Sequence, residues 1–261
     1  MSRATSPVYV FVLCLGVVLV APAVVVALVS LSPETGLHFP PTGLSGRWYA
    51  GFFQDPLWTS SALVSLTVAL LATVVATTLG TLAALGLLRG QYPARALVNG
   101  VVLGPLIVPS IVVAVGMYLQ YTAWGLTGSL LGLVAAHASL SLPFVIINVG
   151  ASLRNLDASL ELAAQTLGAG PVRTFQRVTL PLILPGVVAG AIIAFVLSWD
   201  EVVVAIFLSS PLVRTLPAVM WAEIHSRVDP TSAAVATMLA VVPLIVLPAT
   251  MWVRRRAPSA S

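Results

Sequence analysis

Of the 261 residues, 59% are hydrophobic and only 8% are charged; the mean hydropathy is +1.05 and the formal net charge +4. A soluble domain carries about 25% charged residues, so this chain cannot cover a water-facing surface, and its surplus apolar side chains must face lipid. All twelve basic residues are arginines, set singly or in short groups between apolar runs, not along one stripe as nucleic-acid binding would require. The single cysteine, Cys14, excludes an internal disulfide and a cysteine-based metal cluster, and it reads as a small apolar filler.

Crossing a hydrocarbon core takes roughly 20 helical residues, because every backbone polar group must be satisfied inside the segment. Six stretches qualify: about 7–31, 59–88, 96–120, 129–151, 183–208 and 233–253. Their unbroken apolar character argues against a β-barrel, whose strands alternate. The first is longer than the roughly 7–15 residues of a secretory signal core and reads as an uncleaved span. With the N-terminus inside, nine arginines (Arg3, Arg89, Arg95, Arg154, Arg173, Arg177, Arg254, Arg255 and Arg256) are cytoplasmic. Arg47, Arg214 and Arg227 are then outside, a positive-inside bias that places both termini in the cytoplasm.

The outer segment from Ser32 to Trp58 holds Trp48, Tyr49, Phe52, Phe53 and Trp58. Such aromatics favour the membrane–water boundary and predict a short interfacial helix, with substrate contact as the alternative. Prolines interrupt the spans at Pro22, Pro105, Pro109, Pro143, Pro185, Pro243 and Pro248, where kinks are expected. Gly100, Gly104, Gly186 and Gly190 are expected at close helix approaches. Tight packing and hinges for alternating access both fit this pattern.

The longest inside segment, 152–182, is patterned as two short helices. Asp157 suits an N-cap, and Glu161 lies in the first turn, where the helix dipole favours negative charge. The run Leu160–Leu167 is rich in helix formers, and Gly168 suits the stop. Gly170-Pro171 opens a second helix with proline at its permitted first position. Arg173 and Arg177 share a face of that helix, and Leu180-Pro181 is expected to end it before the fifth span. Ala163, Ala164 and Gly168 leave room for close contact with a partner surface, and a mere connector between spans is the alternative.

Ala163-Ala164, three residues, Gly168, nine residues, Val178, one residue, Leu180-Pro181 resembles the EAA signature of binding-protein-dependent ABC permeases, with every spacing kept. The family's glutamate would fall at Leu162; here Glu161 stands one residue earlier, about 100° around the helix. The resemblance implies that this loop docks on a separate ATP-binding subunit through Glu161, Ala163, Ala164 and Gly168, with Arg173, Arg177, Val178, Leu180 and Pro181 flanking. The chain has no Gly-x-x-x-x-Gly-Lys phosphate loop and no lysine to build one. ATP and magnesium are therefore expected on the partner chain, with no cofactor here.

The resemblance runs from about Ser60 to Val253. His137 through Phe144 (His-Ala-Ser-Leu-Ser-Leu-Pro-Phe) is similar to the fourth span of polyamine-type permeases. Ser198-Trp199-Asp200-Glu201, then Phe207 and Thr215-Leu216-Pro217, resembles a second stretch of the same branch, that of the second permease of spermidine/putrescine-type importers. Iron, aminophosphonate-type and sulfate importers share parts of these patterns. Acidic residues within a span normally face the bundle interior or a water-filled path, so Trp199, Asp200, Glu201 and His137 are the candidate path residues. An adjacent acidic pair points in different directions, so one of the two is expected to line the path. Asp200 capping a helix break or pairing with a partner's arginine is the alternative, as is a hydrogen-bonded core role for His137. Trp221, Glu223, His225 and Asp229 lie in the last outer loop, where they suit either a lip under a binding protein or ordinary solvation.

These features together predict an all-α, six-span type I ABC importer permease in the bacterial inner membrane. The expected partners are two ATP-binding subunits, a second and non-identical permease, and an extracytoplasmic binding protein. The expected cargo is a polyamine or similar small amine. An ion-gradient transporter would explain the intramembrane acids but not the patterned inside loop.

Overall fold

The computed structural model describes residues 6–90, 95–226 and 229–256. Arg3 and Arg227 lie outside the described residues, as do the side chains of Arg95, Arg254, Arg255 and Arg256. Within the described residues the chain is helical throughout, without strands: α1 Ser6–Val29, α2 Arg47–Gln54, α3 Pro56–Arg89, α4 Arg95–Leu103, α5 Ser110–Ala123 and α6 Leu130–Arg154. There follow α7 Ala158–Thr166, α8 Pro171–Thr174, α9 Leu180–Trp199, α10 Val203–Leu208, α11 Leu216–Ser226 and α12 Pro230–Arg256. Among the described residues five helices are long and apolar enough to cross a membrane, and α4 with α5 passes the same test as a sharply bent pair, a broken span or a re-entrant loop. Large apolar side chains on the outer faces, such as Leu19, Leu70, Ile107 and Ile147, are exposed, as a lipid-facing surface requires.

Three expectations need correction. The third span is not one straight helix from 96 to 120: α4 passes into a 3-10 turn at Gly104–Leu106, the chain breaks, and α5 leaves at 102°. Pro105 and Pro109 lack the amide hydrogens that would carry the helix across. The fifth span does not run 183–208; it ends at Trp199, and α10 is a separate six-residue helix. Leu180-Pro181 does not end the second loop helix either. A π turn over Phe175–Thr179 joins α8 to α9, so Pro171–Trp199 forms one long run. Pro181 has no amide hydrogen, so the run crosses it without that one ladder bond, next to the π turn. The last outer loop is also largely helical, as α11.

The helices distribute over two compact units, Met1–Ser60 with Val219–Val242 and Ser61–Ala218 with Pro243–Ser261. In the first, α2 is the expected short aromatic helix. Trp48 Nε1 donates to Ser32 O at 2.8 Å, Tyr49 Oη pairs with Ser30 Oγ at 2.7 Å, and the Arg47 guanidinium lies over the Trp48 ring. Phe52 is buried while Phe53 stays exposed.

The second unit centres on α6, which packs along α9 and against α3. Ala76, Ala84, Val145, Val149, Ile183 and Ala194 form part of one apolar core. A second core joins α3, α5, α6 and α10 through Val68, Ala114, Leu133 and Val204. Val145 is a point of close approach from two sides. A Cβ added at Gly80 would fall 2.8 Å from Val145 Cβ, and one at Gly190 would fall 3.1 Å from Val145 Cα. Gly186 is equally pressed by Ser152 and the Asn148 carbonyl. Gly100 and Gly104, expected to serve the same purpose, have open space around them.

Dispersion between closely approaching helices is a main source of bundle stability in lipid. Gly190→Val should therefore lower the apparent melting temperature of the assembled protein, since overpacking costs roughly 1–3 kcal/mol. Gly100→Ala should leave it unchanged. Equal melting temperatures for both variants would show that the Val145 contact does not limit packing.

Candidate functional site

Two places carry the chemistry singled out in the sequence. The first is the segment after α6. Asp157 caps α7, its Oδ1 accepting from the Ser159 amide at 2.8 Å. That bond, with a further one from the Ser159 hydroxyl, holds the Asp157 carboxyl below the usual carboxylate range. The helix stops as expected. Gly168 has φ +86°, a left-handed conformation that favours glycine. The Gly168 and Ala169 amides close back on the Gln165 and Ala164 carbonyls at 2.9 and 3.0 Å.

Glu161 points into the protein. Its Oε1 accepts from Arg89 Nη2 at 2.6 Å and from the Thr179 hydroxyl. One carboxylate thus ties α7 to the last residue of α3 and to the root of α9. Neither Arg89 nor Thr179 was singled out as a partner by the sequence; Arg89 was read only as a topology marker.

The outer side of this segment carries exposed leucines among polar residues. Leu162, at the position of the family glutamate, is 61% exposed and Leu167 is 89% exposed. Ala163 and Gly168 are exposed beside them, while Ala164 is half-buried. Arg173 and Arg177 are exposed, Val178 and Leu180 half-buried, and Pro181 exposed.

The second place is a cavity of about 290 Å³ in the Ser61–Ala218 unit. Leu106 and Val108 face it from the break in the third span. His137, Ser141 and Phe144 face it from α6, and Ser198 and Glu201 from the end of α9 and just beyond. His137 is 1% exposed; its Nδ1 pairs with Ser198 Oγ at 2.8 Å, while Nε2 is buried without a partner. Glu201 Oε1 accepts from the Val204 amide at 2.9 Å, which fixes the carboxylate at the start of α10.

The adjacent acids divide as their angular separation requires. Glu201 lines the cavity, whereas Asp200 is the C-cap of α9, exposed and outside the lining. Trp199 is buried and stacks on Phe195, with 6.1 Å between ring centroids; it is also outside the lining. Of the four candidate path residues the structure therefore joins His137 and Glu201. Ser141 and Phe144 lie in the His137–Phe144 stretch but had not been singled out. The Pro105 and Pro109 pair was the available signal for the break. Among the described residues no group of three or more His, Cys, Asp or Glu side chains converges on a metal site.

Known proteins resemble this chain in sequence and in fold. Residues 76–257 match the family described as binding-protein-dependent transport system inner membrane component. The putrescine transport system permease protein PotI of Escherichia coli K12 is 33% identical over 204 residues, covering 76% of this chain and 73% of PotI. The spermidine/putrescine transport system permease protein PotC of the same strain is 30% identical over 213 residues, covering 82% and 81%. A bacterial ABC transporter involved in import of the acidic polysaccharide alginate contains a chain of the same fold. Its TM-score is 0.72 at 15% identity, covering 96% of this chain and 98% of that one. Those matches set aside the ion-gradient reading. The chain belongs to the family of binding-protein-dependent transport system inner membrane components: it is a multi-pass inner-membrane permease subunit of an ABC importer, whose ATPase is a separate subunit.

Proposed function

We propose that this chain forms half of the translocation path for a small organic amine and that segment 152–182 couples the path to an ATP-binding subunit. The observation that carries the coupling role is the two-sided character of α7. Its inner side is pinned through Glu161 to Arg89 and Thr179, while Leu162 and Leu167 stand exposed outside the spans. Exposed apolar side chains on a segment that lipid does not cover mark a protein contact. A push on α7 reaches two spanning helices at once, because the same carboxylate holds the end of α3 and the root of α9.

ATP and magnesium are assigned to the docked subunit. The amine assignment is supported by the two relatives named for putrescine and for spermidine/putrescine transport. By the same reasoning the working assembly has two ATP-binding subunits, a second, non-identical permease and an extracytoplasmic binding protein. The arginine distribution supports cytoplasmic termini and a cytoplasmic coupling loop.

Gly168 is a poor place to test docking, because any other residue would strain its backbone as well. Leu167→Asp avoids that problem. In the reconstituted importer it should insert normally and lower hydrolysis stimulated by the putrescine-loaded binding protein by about tenfold, the scale of losing one interface anchor. Wild-type stimulation in this variant would reduce the loop to a connector. Glu161→Gln removes the charge that Arg89 pairs with, and an exposed pair of this kind contributes at most about 1 kcal/mol. Amide hydrogen exchange across Ala158–Thr166 should accelerate several-fold in that variant. Unchanged exchange would mean that the carboxylate does not hold the helix.

A further inference from the structure

The cavity at the break of the third span has a consistent electrostatic sign. Among the described residues its charged lining group is the Glu201 carboxylate, and no arginine lines it. Two helices end beside it: α4 with its 3-10 turn stops at Leu106, and α9 stops at Trp199, next to the lining residue Ser198. Helix C-termini present unpaired carbonyls and a partial negative charge, which favours a cation. The α10 amide end, which would oppose this, is already answered by Glu201 through the Val204 amide. His137 stands in the same wall with its Nδ1 paired to Ser198 Oγ, while its Nε2 is buried away from the cavity space. Leu140, Phe144 and Leu197 supply apolar wall between these polar points.

We propose that this cavity is a binding subsite for the ammonium end of an alkylamine. Glu201 pairs with the charge, Ser141 and Ser198 stand beside it in the wall, and Leu140, Phe144 and Leu197 cover the methylenes. The proposal rests on the importer reading above and adds to it the site and the residues that select the cargo. An anion is repelled by the carboxylate and the two helix ends, and a neutral sugar can donate hydrogen bonds to them but forms no charge pair, so the subsite favours a cation.

The test uses the assembled importer in nanodiscs, with both faces accessible. In a Cys14→Ser background, Ser110→Cys or Ser141→Cys places one reporter thiol on the cavity lining, and the Cys14→Ser complex alone gives the baseline. Reaction with a cationic methanethiosulfonate is compared with an anionic one, each normalised to its rate with free cysteine. The normalised preference for the cation should be about tenfold, a conservative yield for one nearby carboxylate. It should fall toward one in Glu201→Gln and return in Glu201→Asp, and putrescine should slow the cationic reaction. A preference that Glu201→Gln does not change overturns the proposal. So does a failure of either reagent to reach both reporters, or of every alkylamine to protect them. If putrescine is transported without protecting, the subsite is wrong and the amine-import reading stands. If another alkylamine protects while putrescine is neither bound nor moved, the subsite stands and the polyamine-type cargo is wrong.

Discussion

In a hydrocarbon interior no water completes an interrupted helix, so every break in a span must be paired within the protein or must border a polar space. The second unit has two breaks of this kind. One is set by Pro105 and Pro109, the other follows Trp199 and carries Asp200 and Glu201. Leu106 and Val108 from the first and Glu201 from the second line the same cavity. The two breaks thus meet at one place, beside α6. Interior packing permits this: Gly80 and Gly190 let α3 and α9 close onto Val145, so that α6 is held rigidly while its neighbours break.

The same economy governs segment 152–182. Its helices are short and could not hold a fixed attitude alone. The Asp157 cap and the left-handed Gly168 set the two ends of α7, and the Glu161 carboxylate sets its orientation against α3 and α9. With the acidic group turned inward, the outer side of α7 is apolar at Leu162. A partner groove that fits it is apolar at that point, whereas the EAA pattern carries a glutamate there. Moving a glutamate by one residue changes which protein surface it serves.

Much of this was legible in the sequence. The apolar runs located the long apolar helices in order, because length and hydropathy alone decide whether a helix can cross. The Asp157 cap, the Gly168 stop and Pro171 at a first helical position were readable because each depends on local backbone chemistry. What escaped depends on contacts between distant residues. Arg89 and Thr179 lie 72 and 18 residues from Glu161, and their convergence has no local signature. The division between Asp200 and Glu201 was expected, but which of them lines the cavity follows from where α9 ends. Hydropathy extended that helix to 208, because Val203–Leu208 is as apolar as a span. The choice among close-approach glycines failed for the same reason: Gly100 and Gly190 look alike until their neighbours are in place.

The central claim is that segment 152–182 is the contact with the ATP-binding subunit, and direct cross-linking tests it most closely. A photoreactive residue at position 162, on the exposed side of α7, should attach to the ATP-binding subunit when the assembled importer is irradiated, while one at the lipid-facing position 19 should not. Cross-links from 162 only to lipid, or no cross-link beyond the level seen at 19, would contradict the account.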